Sequence, residues 1–242
     1  MWDFLLNTLK HPSDYLGILK TNTLVFSHRI DEGNGYYSFI FKPTKPLTWK
    51  AGEHGVFTMP DKVINGKAWR AFSIASSATE NEIKIGTNIP VEVSDFKAKL
   101  MALTAGDKIK MHGPFGEFHL HNKMQQVVGI AGGIGITPFR ALMHEIANNQ
   151  IPGVNLHLIF AGRDNYFTYE AEIRSFSEHP NISTVFINTP DEVNANIDSS
   201  VAEFGNNAEY FVSGSPGMIG AVKKTLKEKG IKQIYNDPFK GY

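Results

Sequence analysis

The sequence predicts a two-domain chain, an antiparallel β-barrel followed by an α/β unit on a parallel sheet, and three observations support this. From Thr23 to about Leu120 the apolar rhythm is short and broken by turns. After Asn122 it changes to strand followed by helix. A chain of 242 residues, 42% hydrophobic and 20% charged, also has enough apolar content for two modest cores. The expected division is a helical segment over residues 1–20, a barrel over 21–121 and an α/β domain over 122–242, with no repeat or low-complexity linker between them.

At the start, Trp2, Phe4, Leu5, Leu6 and Leu9 mix with Asp3, Asn7 and Lys10, the pattern of an amphipathic helix that packs on or caps the body, the alternative being contact with a surface or a partner. A charged leader followed by a long apolar run is missing. No run reaches the ~18 apolar residues of a membrane span, so a cytoplasmic protein is expected. Strands are expected over 23–30, 36–41, 56–59 and 82–88, the first two joined through Gly33-Asn34-Gly35. Ser94 then caps a short helix carrying Phe96, Leu100 and Leu103 that ends at Gly106. In the second half, strands over 126–131, 154–161, 183–188 and 210–213 alternate with helices through Phe139 to Ile146 and over 170–176, 198–204 and 218–229. That βαβ order implies a parallel sheet with helices on both faces.

Lys plus Arg equals Asp plus Glu at 24 each, so no global field attracts nucleic acid or an anionic membrane, and neither a nucleic-acid partner nor a membrane span is expected, although a local charged patch is compatible with the balance. With no cysteine, the chain forms no disulfide and cannot ligate an iron-sulfur cluster through thiolates, so any electron carrier is organic. The histidines at 11, 28, 54, 112, 119, 121, 144, 157 and 179 are scattered without metal spacing and read as structural or surface residues, with no metal expected.

Two segments carry chemistry. Gly129-Ile-Ala-Gly-Gly-Ile-Gly-Ile-Thr-Pro138 lies between an apolar strand and a periodic helix. Gly132, Gly133 and Gly135 let the backbone turn and approach a pyrophosphate, while Pro138 suits a helix first turn whose free N–H groups favour an anion. The spacing differs from GxGxxG, and the alternative is a glycine turn that serves packing alone. In Arg70-Ala-Phe-Ser-Ile-Ala-Ser76, Arg70 offers a fork of donors to a phosphate, Phe72 an apolar face to a flat ring and Ser73 a hydroxyl to a ring nitrogen. An amphipathic strand with a surface arginine is the alternative there.

Taken together, these segments resemble the Arg-x-Tyr/Phe-Ser and Gly-Gly-x-Gly-x-Thr-Pro motifs of the ferredoxin NADP reductase superfamily. Gly106-Asp107, Gly113-Pro-Phe-Gly-Glu-Phe118 and Val212-Ser-Gly-Ser-Pro-Gly-Met218 are similar to further family segments in the same order. The resemblance covers nearly the whole chain. It implies a Greek-key, FAD-binding barrel, a Rossmann-like NAD(P)-binding domain, and hydride passage from NAD(P)H to FAD in the cleft between them. Arg70 and Ser94 would hold the flavin pyrophosphate, Phe72 would lie against the isoalloxazine, and Ser73 would bond near N5. Gly132, Gly133, Gly135, Thr137 and Pro138 would cradle the coenzyme phosphates, with Gly214 and Met218 bordering the path to the flavin. Ser73 and Ser213 are the catalytic candidates; Ser213 stands where many members have Cys, and Phe72 where Tyr is commoner. Tyr242 would be either a gating ring over the flavin or a surface terminus. Arg163, beside Asp164, falls where recognition of the adenosine ribose begins, and the choice of NADH or NADPH stays open. The implied partners are a nicotinamide coenzyme and a protein acceptor such as a ferredoxin, flavodoxin or haem protein. The alternative to a free-standing enzyme is a reductase component, or a non-catalytic flavin- or nucleotide-binding electron-transfer subunit, of a larger redox system.

Overall fold

The computed structural model describes residues 15–121 and 125–237, which fall into two compact units divided between His119 and Leu120. Most of the expected N-terminal helix, and Tyr242, lie outside the described residues. What is described of that segment is a 3-10 turn, Leu16–Leu19, and not a continuing helix, because the first strand begins at Thr21.

The first unit contains β1 (Thr21–Gly33), β2 (Tyr36–Pro43), β3 (His54–Thr58), β4 (Trp69–Ser73), β5 (Ile83–Asn88), a short helix α1 (Asp95–Met101) and β6 (Lys108–Phe115). These form a six-stranded sheet of order β4-β3-β6-β1-β2-β5 in which all neighbours run antiparallel. The first two strands join through Asn34 and Gly35, both at positive φ (48° and 75°), as a two-residue hairpin turn favours. The outermost strands meet where the chain leaves β4: Ile74 bridges Ile85, and the Ala75 N–H donates to the Lys84 carbonyl at 2.7 Å. Alternation along each strand sends Leu24, Phe26, Phe39, Phe41, Phe57, Ile83 and Ile85 into one core, plugged by Phe96 and Leu100 of α1. That helix stops at Met101, short of Gly106, whose N–H instead donates to the Phe26 carbonyl.

In the second unit β7 (Gln126–Gly132), β8 (Asn155–Ala161), β9 (Ile182–Ile187), β10 (Ala208–Ser213) and β11 (Ile234–Asn236) form a parallel sheet of order β11-β10-β7-β8-β9. Between them run α2 (Thr137–Ala147), α3 (Glu170–Phe176), α4 (Pro190–Phe204) and α5 (Pro216–Glu228). On one face α2 and α3 are tied by Arg140, whose Nε donates to Glu172 Oε2 at 2.8 Å. On the other face Val193 and Ile197 of α4 and Ile219, Val222 and Leu226 of α5 pack on Val128, Ile130 and Val212. The α4 helix begins eight residues before the expected 198, at Pro190. Its start is fixed by a capping box in which the Thr189 hydroxyl accepts from the Glu192 N–H and Glu192 accepts from the Thr189 N–H. No helix among the described residues is long and apolar enough to cross a membrane.

Candidate functional site

The seam between β4 and β5 forms the first candidate site. These strands are joined only past Ser73, and α1 lies against the stretch before that point, with Phe96 6.4 Å from Phe72 between ring centroids. Arg70 is buried there. Its Nη1 donates to the carbonyls of Lys67 and Trp69, both at 2.8 Å, and its guanidinium carbon lies 5.3 Å from the Phe96 ring centroid. Lys97, on the first turn of α1, is also buried and donates from Nζ to the Asn88 carbonyl at the end of β5, at 2.8 Å. Burial, and then the charge of Arg70, hold its pKa below the ordinary lysine value. A guanidinium and an ammonium close enough to repel, in a partly dry seam, are a donor set suited to a multiply charged anion, so the residues present fit a diphosphate.

Lys97 was not anticipated from the sequence. The available signal was a cation in a helix first turn, where the helix dipole disfavours it. Ser94 is the exposed N-cap residue of α1, and its side chain makes no capping bond. Next to it Asp95 Oδ2 accepts from the Asn65 N–H at 2.7 Å, tying the loop before β4 to the helix.

Phe72 is packed from behind by the barrel core. Its ring is edge-on to Phe57 (5.6 Å, 66°) and belongs to the barrel core, because alternation along β4 turns residues 70, 72 and 74 towards Phe96. Ser73, also buried, ends β4 opposite His54 of β3. The His54 ring sits 4.3 Å from Phe115 at 68°, and a Cβ at Gly116 would strike its imidazole. Burial lowers the His54 pKa to about 3, so this ring is neutral at physiological pH. Because the folded value lies below the unfolded one, the unfolded chain binds the extra proton. The associated stability is therefore complete above about pH 6.5 and is lost as the pH falls towards 3. Lowering the pH from 7 to 5 should cost on the order of 2 kcal/mol through this group. In urea titrations at the two pH values, the His54→Gln chain is expected to lose correspondingly less stability than the parent chain, and an equal loss in both would refute the assignment.

The second candidate site follows from strand order. From β7 the chain proceeds outward through β8 and β9, then returns to β10 on the other side of β7, so the β7–α2 and β10–α5 connections leave the sheet towards opposite faces. Such a switch point leaves a crevice at the carboxyl ends of the strands. The expected residues gather there. After Gly132, a 3-10 turn (Gly133–Ile136), with Gly133 at φ 53°, leads into Thr137 and Pro138 at the start of α2, and Thr137 Oγ1 donates to the Ile134 carbonyl at 3.0 Å. A Cβ on Gly135 would strike the Ser213 carbonyl group and the Gly214 nitrogen, so the two connections are packed backbone against backbone. One on Gly132 would meet Met218 Sδ, and one on Gly214 would lie 2.9 Å from the same sulfur. Ser215 caps α5 by accepting from the Met218 N–H at 3.3 Å, which fixes where that side chain begins.

Ser213 is buried at the end of β10. Its hydroxyl donates to Asp237 Oδ2 at 3.3 Å, and the Asp237 N–H donates to the Val212 carbonyl at 3.0 Å. Sequence reasoning missed Asp237, since nothing local links it to Ser213. Arg163, just past β8, bridges Tyr166 across a turn in which Asp164 and Asn165 have φ of 54° and 58°. Among the described residues no cluster of three His, Asp or Glu side chains is placed to hold a metal ion.

The oxidoreductase NAD-binding domain family matches residues 130–224, a span that includes both connections at the switch point. The anthranilate 1,2-dioxygenase electron transfer component of Acinetobacter baylyi is 26% identical over 208 residues, 81% of this chain. The chain covers only 59%, 55% and 51% of the lengths of three curated relatives, so it spans little more than half of the proteins it matches. Among solved structures, the cytochrome b5 reductase domain of Ulva prolifera nitrate reductase aligns with a TM-score of 0.75 at 18% identity, over 90% of this chain and 98% of that one. Ferredoxin-NADP+ reductase from Plasmodium falciparum aligns with a TM-score of 0.74 at 18% identity, over 92% and 97%. An antiparallel sheet whose outer strands meet at the Ile74–Ile85 bridge, and a parallel sheet with a switch point inside the span matched by the oxidoreductase NAD-binding domain family, give this chain the fold of these reductase structures.

Proposed function

We propose that the chain is an NAD(P)H-dependent reductase that carries FAD and delivers electrons to a separate acceptor, with residues 21–121 as the flavin domain and 122–242 as the nicotinamide domain. The supporting observation is that one chain carries two differently built groupings of residues suited to an anion. One is a buried Arg70 and Lys97 at the barrel seam; the other is a pair of glycine turns at a switch point in the matched NAD-binding domain. When bound, FAD supplies the redox chemistry, accepting hydride from the reduced nicotinamide and releasing electrons onward.

The protein's contribution is placement. Arg70 and Lys97 bind the diphosphate and fix its position along β4, while Phe72 backs the seam from the core. Ser73 donates its hydroxyl at flavin N5, where charge develops, and no proton-relay side chain is needed. Gly133 and the first turn of α2 receive the coenzyme phosphates. Asp237 orients the Ser213 hydroxyl beside the nicotinamide subsite, bordered by Gly214 and Met218. Arg163 attracts a ribose phosphate and Asp164 repels one, so both coenzymes belong in the test. With no cysteine in these 242 residues to ligate a cluster, electrons pass to a group that these residues do not bind, and by analogy with the dioxygenase electron transfer component a protein acceptor in the cytoplasm is proposed.

Anaerobic titration of the purified yellow protein with NADH and NADPH tests this reading: bleaching of the flavin absorbance is expected, and a protein that takes up no flavin, or whose flavin neither coenzyme reduces, contradicts it. Replacing Ser73 with alanine should leave FAD bound and slow its reduction in stopped-flow measurements by about tenfold to a hundredfold.

A further inference from the structure

The outer face of the barrel carries a charged surface that flavin binding leaves unused. Along β6, Lys108, Lys110 and His112 alternate with the buried Ile109 and Met111, so all three project away from the core. Sheet register sets their neighbours. Lys110 stands between Thr23 of β1 and Thr58 of β3, and Lys108 lies beside Val25, whose other neighbour is Lys42 of β2. None of these outward positions holds Asp or Glu, although the chain as a whole is balanced at 24 acids and 24 bases. Lys110 Nζ donates to the Thr23 hydroxyl at 2.7 Å, and among the described residues Lys42, Lys108 and Lys110 have no carboxylate partner. Carboxylates come only at the rim: Asp61 lies in the turn after β3, and Asp107 accepts from Lys62 Nζ at 3.4 Å and from the Thr104 N–H at 3.0 Å.

Apolar side chains flank these cations. The 3-10 turn Leu16–Leu19 sits against the end of β6 just past His112, since a Cβ on Gly17 would strike the Pro114 carbonyl. A 3-10 helix repeats every three residues, so Leu16 and Leu19 align on one side, and they are 60% and 78% exposed. On the opposite flank Trp69 of β4 pairs with Thr58, is 42% exposed and has Lys67 Nζ 3.7 Å from its ring centroid. The leucines decide the occupant. An acidic protein or a nucleic acid would be met by the lysines alone, whereas a bilayer presents phosphates at its surface and an apolar layer roughly 5–10 Å beneath them. Lysines there neutralise headgroups, leucines enter the acyl boundary, and an indole suits the headgroup level between.

We propose that this outer barrel face docks the protein peripherally on an anionic phospholipid surface, with Lys42, Lys108 and Lys110 on the headgroups and Leu16 and Leu19 inserted. The test is co-sedimentation of the full chain with vesicles of phosphatidylglycerol in phosphatidylcholine and, separately, of phosphatidylcholine alone. Binding is expected only to the anionic vesicles and should be released as added salt shortens the screening length. The double change Lys108→Glu, Lys110→Glu is expected to weaken partitioning by about tenfold to a hundredfold. Leu16→Ser with Leu19→Ser leaves the charge intact and should weaken it by about tenfold or more. All four side chains lie on the surface, so both variants should keep the parent melting temperature. Failure of the parent chain to bind anionic vesicles at low salt overturns the proposal. So does binding that survives the lysine changes, which would come from elsewhere on the chain, and binding that ignores the leucine changes, which would mark a face that reads charge alone.

Discussion

Alanine at Arg70 is expected to yield a folded but colourless protein. The guanidinium is buried and its direction is set by two backbone carbonyls at 2.8 Å, so little entropy remains to be lost when it grips a diphosphate. Charge-assisted hydrogen bonds contribute about 1.5–3 kcal/mol each, and losing a bidentate pair should weaken FAD by a hundredfold or more. The barrel should survive. Removing Arg70 relieves the repulsion that helps depress Lys97, whose pKa should rise towards the ordinary lysine value, and the freed carbonyls of Lys67 and Trp69 border an exposed loop. Lysine at the same position keeps the charge without the fork and should recover only part of the affinity. The ratio of flavin to protein absorbance after purification, followed by FAD titration and thermal melting, separates these effects. Normal flavin content in Arg70→Ala would remove Arg70 from the site.

What the sequence disclosed was mostly what short-range physics controls. The helix Glu170–Phe176 has the expected bounds, and the Gly33-Asn34-Gly35 turn lies where its positive-φ residues require. The change from strand rhythm to strand-helix rhythm marked the change from antiparallel to parallel sheet. The early part of α4 escaped because Pro-Asp-Glu-Val-Asn-Ala-Asn reads as a polar loop unless the Thr189–Glu192 capping box is weighed more heavily than the asparagines. The three-residue strand β11 is too short to carry a periodicity of its own. At the candidate sites, residue types were legible and their partners were not. Lys97 meets Arg70, Ser213 meets Asp237 and Ser73 faces His54 only through sheet and helix packing. Phe72 shows the same limit from the other side: an aromatic in a motif segment can be named from sequence, but whether its ring faces ligand or core depends on the turn of the strand.

Gly135 is where sequence and structure assign different reasons to the same residue, and the second large effect is expected there. The motif suggested that its missing side chain leaves room for a phosphate; in the structure that space is taken by the Ser213 carbonyl and the Gly214 nitrogen. Backbone atoms inside a parallel sheet cannot step aside as a side chain can. Gly135→Ala should therefore push the β7–α2 and β10–α5 connections apart, at a cost typical of overpacking, about 1–3 kcal/mol. The same shift displaces Ser213, Gly214 and the start of α2 together. A displacement near 1 Å in groups that position a reactant is enough for a rate loss of about a hundredfold. Gly132→Ala is the internal control, because its Cβ meets only the Met218 sulfur, at the end of a flexible thioether that can choose another rotamer. That variant should lose no more than about a few-fold in reduction rate. Both variants should keep their flavin, since the barrel unit is untouched. Limiting rates of anaerobic flavin reduction by NADH and NADPH, recorded with flavin content and melting temperature, provide the comparison. Equal losses at the two positions would mean that both glycines serve the ligand directly and that the backbone contact with Ser213 is incidental.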